Sequence, residues 1–351
     1  MSSLFFSMKT RSRSSSPGLK PQAYRPAPTR REVVLLLTHS ADYFTVDQVA
    51  AALIRRGATP FRLDTDLFPA RIHLSVESST NELCHTISAG GRHIAADQVR
   101  AVWARRIGQP RLDDDLDATF RDVCINESLA ALDGFLDGLH QARWVNHPAR
   151  EREAENKLLQ LRIARAAGLQ IPQTLMTNDP RQARRFFRKV KGQLVAKLLR
   201  PVSVSMSGAS SFVYTSRVSG SDLADLSLLR HSPMVFQEFI PKSRELRVAF
   251  VGGRSFAGSI QAQESERGQV DWRLAAPAEV SWQPASVPGE VARQIASLMS
   301  RLGLVYGAID FIETPDGEWV FLEVNPGGEW GMLERDLGYP ISDALAEALL
   351  A

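Results

Sequence analysis

Cysteine, lysine and long apolar runs are all in short supply in this chain of 351 residues. The two cysteines, Cys84 and Cys124, have no spacing that suits a zinc site or a redox dithiol, and such sparse usage fits a reducing, cytoplasmic setting. No apolar stretch reaches the roughly 18 to 20 residues of a bilayer-spanning helix, which removes a helical membrane protein from consideration. G-x-G-x-x-G does not follow the first predicted strand, and G-x-x-x-x-G-K-[ST] does not occur, so a dinucleotide fingerprint and a P-loop are both excluded at the motif level. Acidic residues are missing from residues 1–31, which hold seven Lys or Arg. The net charge of +3 arises there, because the remaining 35 basic and 39 acidic residues carry −4 between them. A nucleic-acid-binding reading of the whole protein therefore loses its main support. The segment "MKTRSRSSSPGLKPQAYRPAPTRR" is expected to be a disordered basic tail, and "LFF" before it is too short for the apolar core of a secretory signal.

What remains is ordinary for a soluble globular protein, with 44% hydrophobic and 23% charged residues and a length that suggests two or three domains. "EVVLLLTHS" reads as a buried strand leading into a loop, and Val46, Val49, Ala50, Leu53 and Ile54 then recur at helical spacing up to Gly57. With "TPFRLD" and "VRAVWARR" as further strands, this is a parallel α/β unit. Residues 117–140 read as a helix and "RWVNHP" as a short strand and turn. "AENKLLQLRIARAAGLQIPQT" reads as one helix stopped by Gly168, and Asn178 or Asp179 caps the next, with Pro180 in its first turn. "GQLVAKLL" and "FVYTS" predict a small hairpin whose Ser/Gly-rich tip, 203–211, is flexible. Strands follow at "MVFQEFI", "ELRVAFVGG" and "RSFAGSIQAQ", with helices at 289–302 and from about 341.

The chemistry concentrates in "AIDFIETPDGEWVFLEVNPGGEW", residues 308 to 330. Asp316-Gly317 suits a tight turn between two β-rich segments, and a two-residue loop there sets Asp310 directly opposite Glu323. Facing carboxylates repel unless something neutralises them. Asn325 shares the face of Glu323. Three oxygen-bearing side chains converging in an apolar hairpin suit Mg2+ that also binds phosphate oxygens. Only seven lysines occur against 35 arginines, so Lys197 inside the apolar "LVAKLL" is informative, since a buried ammonium needs an anion or must snorkel out. The 203–211 loop could close backbone amides over phosphates. Glu238 and Glu245 bracket "FIPKSR", where the backbone could read an adenine edge and a carboxylate could take ribose hydroxyls.

In this order, a lysine-bearing helix, a lysine strand with a flexible hairpin, the hinge Gln237-Glu238-Phe239-Ile240, Arg247 and a terminal Asp…Glu-x-Asn set resemble the ATP-grasp superfamily. Within it the chain is similar to the graspetide synthetases, the microviridin-type ligases that crosslink ribosomal peptides. The likeness covers residues 32–351 and is carried by "LLLTHSADYFTVDQVAAALIRRGATPFRLDTDLFP", "ENKLLQLRIARAAGLQIPQTLMTNDP", "QEFIPKSRELRV", "DWR" and "FLEVNPGGEWGMLE". It implies an ATP-grasp fold with a pre-ATP-grasp α/β domain at 32–150, a central subdomain at 151–233 and a C-terminal antiparallel-sheet subdomain at 234–351. It also implies an ADP-forming ligase that activates Asp or Glu side chains of a precursor peptide as acyl phosphates and closes ω-ester or ω-amide links. The cofactors implied are ATP and Mg2+, the partner is the leader-plus-core peptide, and a homodimer is allowed.

By the same resemblance Lys157 and Lys197 bind ATP phosphates or adenine, Gln237, Glu238, Phe239 and Ile240 form the adenine hinge, and Glu245 holds ribose. Arg247 stabilises the transferring phosphoryl group, Asp310, Glu323 and Asn325 hold Mg2+, and Asp271 and Arg273 of the D-x-R motif engage the acidic residue of the core peptide. Relatives commonly read N-P-N-G-Q-W where this chain has Asn325-Pro326-Gly327-Gly328-Glu329-Trp330. Two readings stay open beside this one: an ATP-grasp ligase acting on free amino acids or a peptide C-terminus, and an inactive ATP-grasp fold that only binds peptide or nucleotide.

Overall fold

The computed structural model describes residues 32–80, 83–199, 215–261 and 281–351. The expectations for the basic tail, the 203–211 loop and the Asp271/Arg273 pair lie outside those residues. The chain forms two compact units, one running up to His147 and including Ser342–Ala351, the other Pro148–Ile341. Among the described residues no helix is long and apolar enough to cross a membrane.

The first unit contains β1 (Val33–Thr38), α1 (Thr45–Arg55), β2 (Thr59–Asp64), β3 (His73–Ser78), β4 (Leu83–Ala89), β5 (Arg92–Ala95), β6 (Val99–Ala104), α2 (Ala118–Asp137) and β7 (Arg143–Val145). Its main sheet has the order β2-β1-β6-β7 and is parallel throughout. All six residues of β1 are buried, as a continuous apolar run requires of a strand covered on both faces. Leu35, Leu37, Phe61, Val102 and Phe135 meet in the core of this unit. A second sheet, β3-β4-β5, is antiparallel and was not expected from the sequence. Five of the six residues of β3 are exposed, yet Leu74 and Val76 alternate with polar neighbours, so the period-two signal was present in the sequence and was passed over.

The second unit continues with α3 (Pro148–Ala154), α4 (Lys157–Ala166), β8 (Thr174–Thr177), α5 (Pro180–Lys189), β9 (Leu194–Lys197), β10 (Ser216–Arg217) and β11 (Met234–Glu238). The single helix expected to run up to Gly168 is two: Asn156 accepts from the backbone N–H groups of Leu158 and Leu159 at 3.1 Å each and so starts α4 afresh. Lys157 is therefore the first residue of α4 and not a mid-helix position. Asp179 caps α5 through Arg181 N at 2.8 Å, with Pro180 in the first turn as expected. α5 lays Ala183 and Phe186, with Val190 just past its end, on Leu194 and Phe236 of the antiparallel sheet β10-β9-β11-β8.

The last part comprises β12 (Arg244–Val251), β13 (Arg254–Ile260), β14 (Gln283–Ala285), α6 (Gly289–Leu302), β15 (Tyr306–Glu313), β16 (Trp319–Asn325), α7 (Gly331–Leu337) and α8 (Ile341–Leu350). Strands β14-β13-β12-β15-β16 form a five-stranded antiparallel sheet. One face is apolar, where Leu161 of α4 and Leu298 and Met299 of α6 join the cluster that holds Val248, Phe311 and Phe321. The opposite face carries the odd-numbered Arg247 of β12 and the even-numbered Asp310 of β15, as the period of two demands.

α8 belongs to the first unit. Its Asp343 pairs with Arg55 at 3.0 Å and with Arg56, and Arg56 also meets Glu347 at 2.8 Å. Burial alone acts to raise the Asp343 pKa, but the hydrogen bonds of Arg56 and Arg55 outweigh it and hold the carboxyl below the ordinary aspartate range. A depressed folded pKa adds stability above the unfolded value, about 3.9, and this is lost as pH falls through the folded pKa. Asp343→Asn is expected to flatten the loss of stability below about pH 4 without changing its slope above about pH 6. Chemical denaturation of both proteins across that range checks this, and parallel acid limbs would contradict it.

Candidate active site

The hairpin β15–β16 brings Asp310 opposite Glu323, but not by the route the turn suggested. The strands end at Glu313 paired with Trp319, Thr314 N donates to Glu318 O at 2.9 Å, and Gly317 N donates to Thr314 O at 2.9 Å. That longer loop, with Gly317 at φ 83°, sets a register in which Phe311 faces Phe321. Continued unbroken, it would place Leu322 against Asp310. A β-bulge at Leu322 takes up the extra residue, so Asp310 meets Glu323 and Ala308 meets Asn325. The bulge also keeps Phe321 and Val324 both in the apolar core while Glu323 and Asn325 share the face of Asp310.

On that face five side chains interlock. Arg247 Nη1 donates to Asp310 Oδ1 at 2.6 Å, and their side chains are 11% and 13% exposed. Asn325 Nδ2 donates to Asp310 Oδ2 at 3.2 Å and to Glu323 Oε1 at 3.1 Å, bridging the carboxylates. Lys157 Nζ lies 2.9 Å from Glu323 Oε2, 3.4 Å from Val324 O and 3.5 Å from Asn325 Oδ1. Two cations and two carboxylates thus balance. Burial acts to lower the Arg247 pKa, yet the charge and hydrogen bond of Asp310 prevail and raise it above its usual value, so the guanidinium stays charged.

The donor set fits Mg2+. Among the described residues no group of three or more His, Cys, Asp or Glu is placed to hold a metal by itself. Two carboxylates and one amide leave several coordination positions to water and phosphate, which is the pattern of Mg2+ at nucleotide sites. The single amide that now joins both carboxylates marks a spot within reach of Asp310, Glu323 and Asn325 together.

Of the nucleotide residues expected from the sequence, Lys197 at the end of β9 and Gln237 and Glu238 at the end of β11 form a second group, while Lys157 stands in the cluster above and Glu245 on β12. Lys197 pairs with Val235 and Gln237 with Val195, which puts Lys197 and Gln237 on the sheet face away from Ala196, Phe236 and α5. Gln237 is buried and donates to Thr174 Oγ1 at 3.0 Å. Glu238 accepts from Gln173 N at 3.3 Å, and Phe239 N donates to Gln193 O at 2.9 Å while its ring carries the Arg217 guanidinium 3.8 Å from the centroid. The Phe239 N–H is thus already committed within the fold. Glu245 takes Lys242 at 2.5 Å. A cleft of about 460 Å³ beside β13 and β14, lined by Phe256, Val287 and Tyr339 among others, includes no residue of either group.

Several supporting residues escaped the sequence reading. Glu329 O accepts from Arg247 Nε and Nη2 at 3.3 and 3.0 Å, and Tyr306 Oη donates to Gly328 O at 2.6 Å. The Glu329 carboxylate turns back to accept from Trp330 N at 3.1 Å and Gly331 N at 2.8 Å, so the residue that departs from the usual Gln is spent on starting α7. Gln160, fully buried, touches Val324. Main-chain acceptors leave no trace in sequence, but Gln160 did signal itself as a polar residue within the apolar stripe of Leu161 and Ala164.

Residues 33–152 match the family model of the MvdD pre-ATP grasp domain, and residues 154–349 match that of the RimK-like ATP-grasp domain. No curated protein matches the chain. Among solved structures, macrocyclase MdnB from Microcystis aeruginosa MRC is 48% identical with a TM-score of 0.78 over 91% of this chain and 99% of its own. Macrocyclase MdnC from the same organism, bound with precursor peptide MdnA, is 34% identical with a TM-score of 0.80 over 91% and 99%. The Chryseobacterium gregarium RiPP-associated ATP-grasp ligase, in complex with ADP and a leader and core peptide, is 30% identical with a TM-score of 0.85 over 91% and 96%.

Gly328 closes the site against Arg247. A Cβ there would lie 2.6 Å from Ala308 Cβ, 2.9 Å from Arg247 Nη2 and 2.9 Å from Asn325 Cβ, two of them rigid neighbours. Gly328→Ala is expected to cost about 1–3 kcal/mol in chemical denaturation through this overpacking, and an unchanged midpoint would show that the loop has room to give.

Proposed function

The chain belongs to the ATP-grasp family, in its microviridin-type branch, and from that premise we propose that it closes ω-ester or ω-amide links within a ribosomally made precursor peptide, using ATP. The observation that carries the reading is the balanced cluster of Lys157, Arg247, Asp310, Glu323 and Asn325 on one face of a rigid sheet. An Asp or Glu side chain of the peptide is a poor acyl donor. Its oxygen attacks the γ-phosphorus of ATP and ADP departs; a Ser or Thr hydroxyl or a Lys amine of the same peptide then attacks the acyl phosphate, and phosphate leaves with one oxygen of the original carboxylate. The peptide loses one water per bond.

Each residue has a physical task in that sequence. Arg247 spends three of its five N–H donors on Asp310 and Glu329, which fixes the plane of the guanidinium and leaves one proton on each terminal nitrogen for the transferring phosphoryl group. Asp310, Glu323 and Asn325 would hold Mg2+, which when bound neutralises phosphate charge. Lys157, at the first turn of α4, sits against Glu323 and is within reach of the same anions. Lys197, Gln237, Glu238, Phe239, Ile240 and Glu245 would take the nucleotide, and Asp271 and Arg273 the acidic residue of the peptide. We read 32–150, 151–233 and 234–351 as the three parts of the machine, at work in the cytoplasm.

Replacement of Asp310 would leave Arg247 charged and unpaired in a nearly closed setting, which costs stability of itself. Glu323→Gln is the cleaner probe, because that side chain is 30% exposed and its partner Lys157 can reach water. With a peptide encoded beside this gene, ATP and Mg2+, the wild-type protein is expected to remove one water mass per bond. Glu323→Gln should slow this by about a hundredfold or more while leaving thermal unfolding nearly unchanged. Joining of free amino acids with the peptide mass unchanged would point to a general ATP-grasp ligase.

A further inference from the structure

We infer that Gln160 is a positioning residue for the metal-ligand pair, acting through the backbone of Val324; the inference rests on the Mg2+ role proposed for Glu323 and Asn325. Among the described residues β16 is an edge strand, with β15 on one side only. At Val324, which pairs with Ile309 on that side, the outward N–H and C=O need other partners. Gln160 supplies both from α4. Val324 N donates to Gln160 Oε1 at 2.9 Å, and Gln160 Nε2 donates to Val324 O at 2.8 Å. The second Nε2 proton goes to Ala154 O at 2.6 Å. With the opposite amide orientation, Nε2 would face an N–H and Oε1 two carbonyls, so the partners fix the assignment.

The amide thus stands in for one peptide unit of a missing neighbour strand. Its two bonds fall on the two peptide planes that flank Val324. The first plane joins Glu323 to Val324, and the second joins Val324 to Asn325. Rotation of either would swing the Cα–Cβ vector of a proposed metal ligand. The need is local: the β-bulge at Leu322 has already interrupted the ladder on the other side two residues earlier. Nearer the turn, the same edge is held by main chain, Phe321 N donating to Gln170 O at 2.8 Å. Beyond the bulge a side chain does that work. Gln160 is fully buried, so it is no contact for nucleotide or peptide. Lys157, one turn earlier on α4, touches the same carbonyl of Val324 at 3.4 Å, and α4 therefore delivers both a cation to Glu323 and the clamp between Glu323 and Asn325.

The test is a titration of the full chain with Mn2+ and ADP, read by the electron paramagnetic resonance signal of free Mn2+, beside the Mg2+ dependence of peptide crosslinking. Gln160→Met keeps length and volume and removes all three bonds. It is expected to weaken Mn2+ binding about tenfold or more, as loss of an outer-shell partner does, and to raise the Mg2+ needed for half-maximal rate by a similar factor, with KM for the peptide unchanged. Gln160→Glu retains the acceptor for Val324 N alone and should fall between the two; it also serves should Gln160→Met prove insoluble. A folded variant that binds Mn2+ within twofold of wild type would overturn the inference. Failure of the wild-type chain to bind Mn2+ would instead overturn the metal role on which it rests.

Discussion

The pairing of Arg247 with Asp310 across β12 and β15 is the contact on which the functional face depends. Two carboxylates set opposite each other in a hairpin repel, and Asp310, at 13% exposure, has little water to rely on. The Arg247 guanidinium answers the first and Lys157 the second. Arg247 does more than neutralise: its remaining edge grips Glu329 O and thereby holds the loop that follows β16. That loop starts α7, whose Leu333 packs so near Gly258 that a Cβ there would lie 2.5 Å from its methyl group. Gly258 is the cross-strand partner of Arg247 on β13. One ion pair, one carbonyl and two glycines thus lock strand, loop and helix around the reacting face.

This arrangement gives the departure from N-P-N-G-Q-W a plain meaning. Gly328 is retained because there is no space beside Arg247, and Tyr306 holds its carbonyl. Glu329 contributes to the site through its main chain, while its carboxylate binds the backbone of Trp330 and Gly331. A Gln at this position could accept the same hydrogen bonds with its amide oxygen. The exchange therefore leaves the Arg247 clamp intact.

Much of the site could be read in the sequence because period-two alternation is robust: Asp310, Glu323 and Asn325 are polar in an otherwise apolar hairpin, and they do converge. The turn was legible only in outline. Asp316-Gly317 marks the bend, but a five-residue connection combined with the bulge at Leu322 restores the pairing that a two-residue loop would have given. Two departures of one residue cancel, and nothing in the side chains announces either. Helix α4 was misread for a related reason, since Asn156 as a cap outweighs the continuous apolar periodicity around it. The parallel core, by contrast, was plain from "VVLLL", while the alternation of Leu74 and Val76 in the mostly exposed strand β3 was overlooked.

In the proposed reaction a peptide carboxylate is phosphorylated before it is joined. The most direct measurement starts from a precursor peptide whose Asp and Glu side chains carry 18O in both oxygens. After crosslinking with ATP and Mg2+, the inorganic phosphate released is examined for label by mass spectrometry. Acyl phosphate chemistry predicts one 18O in phosphate for each bond closed. Unlabelled phosphate beside a fully crosslinked peptide would rule out an acyl phosphate.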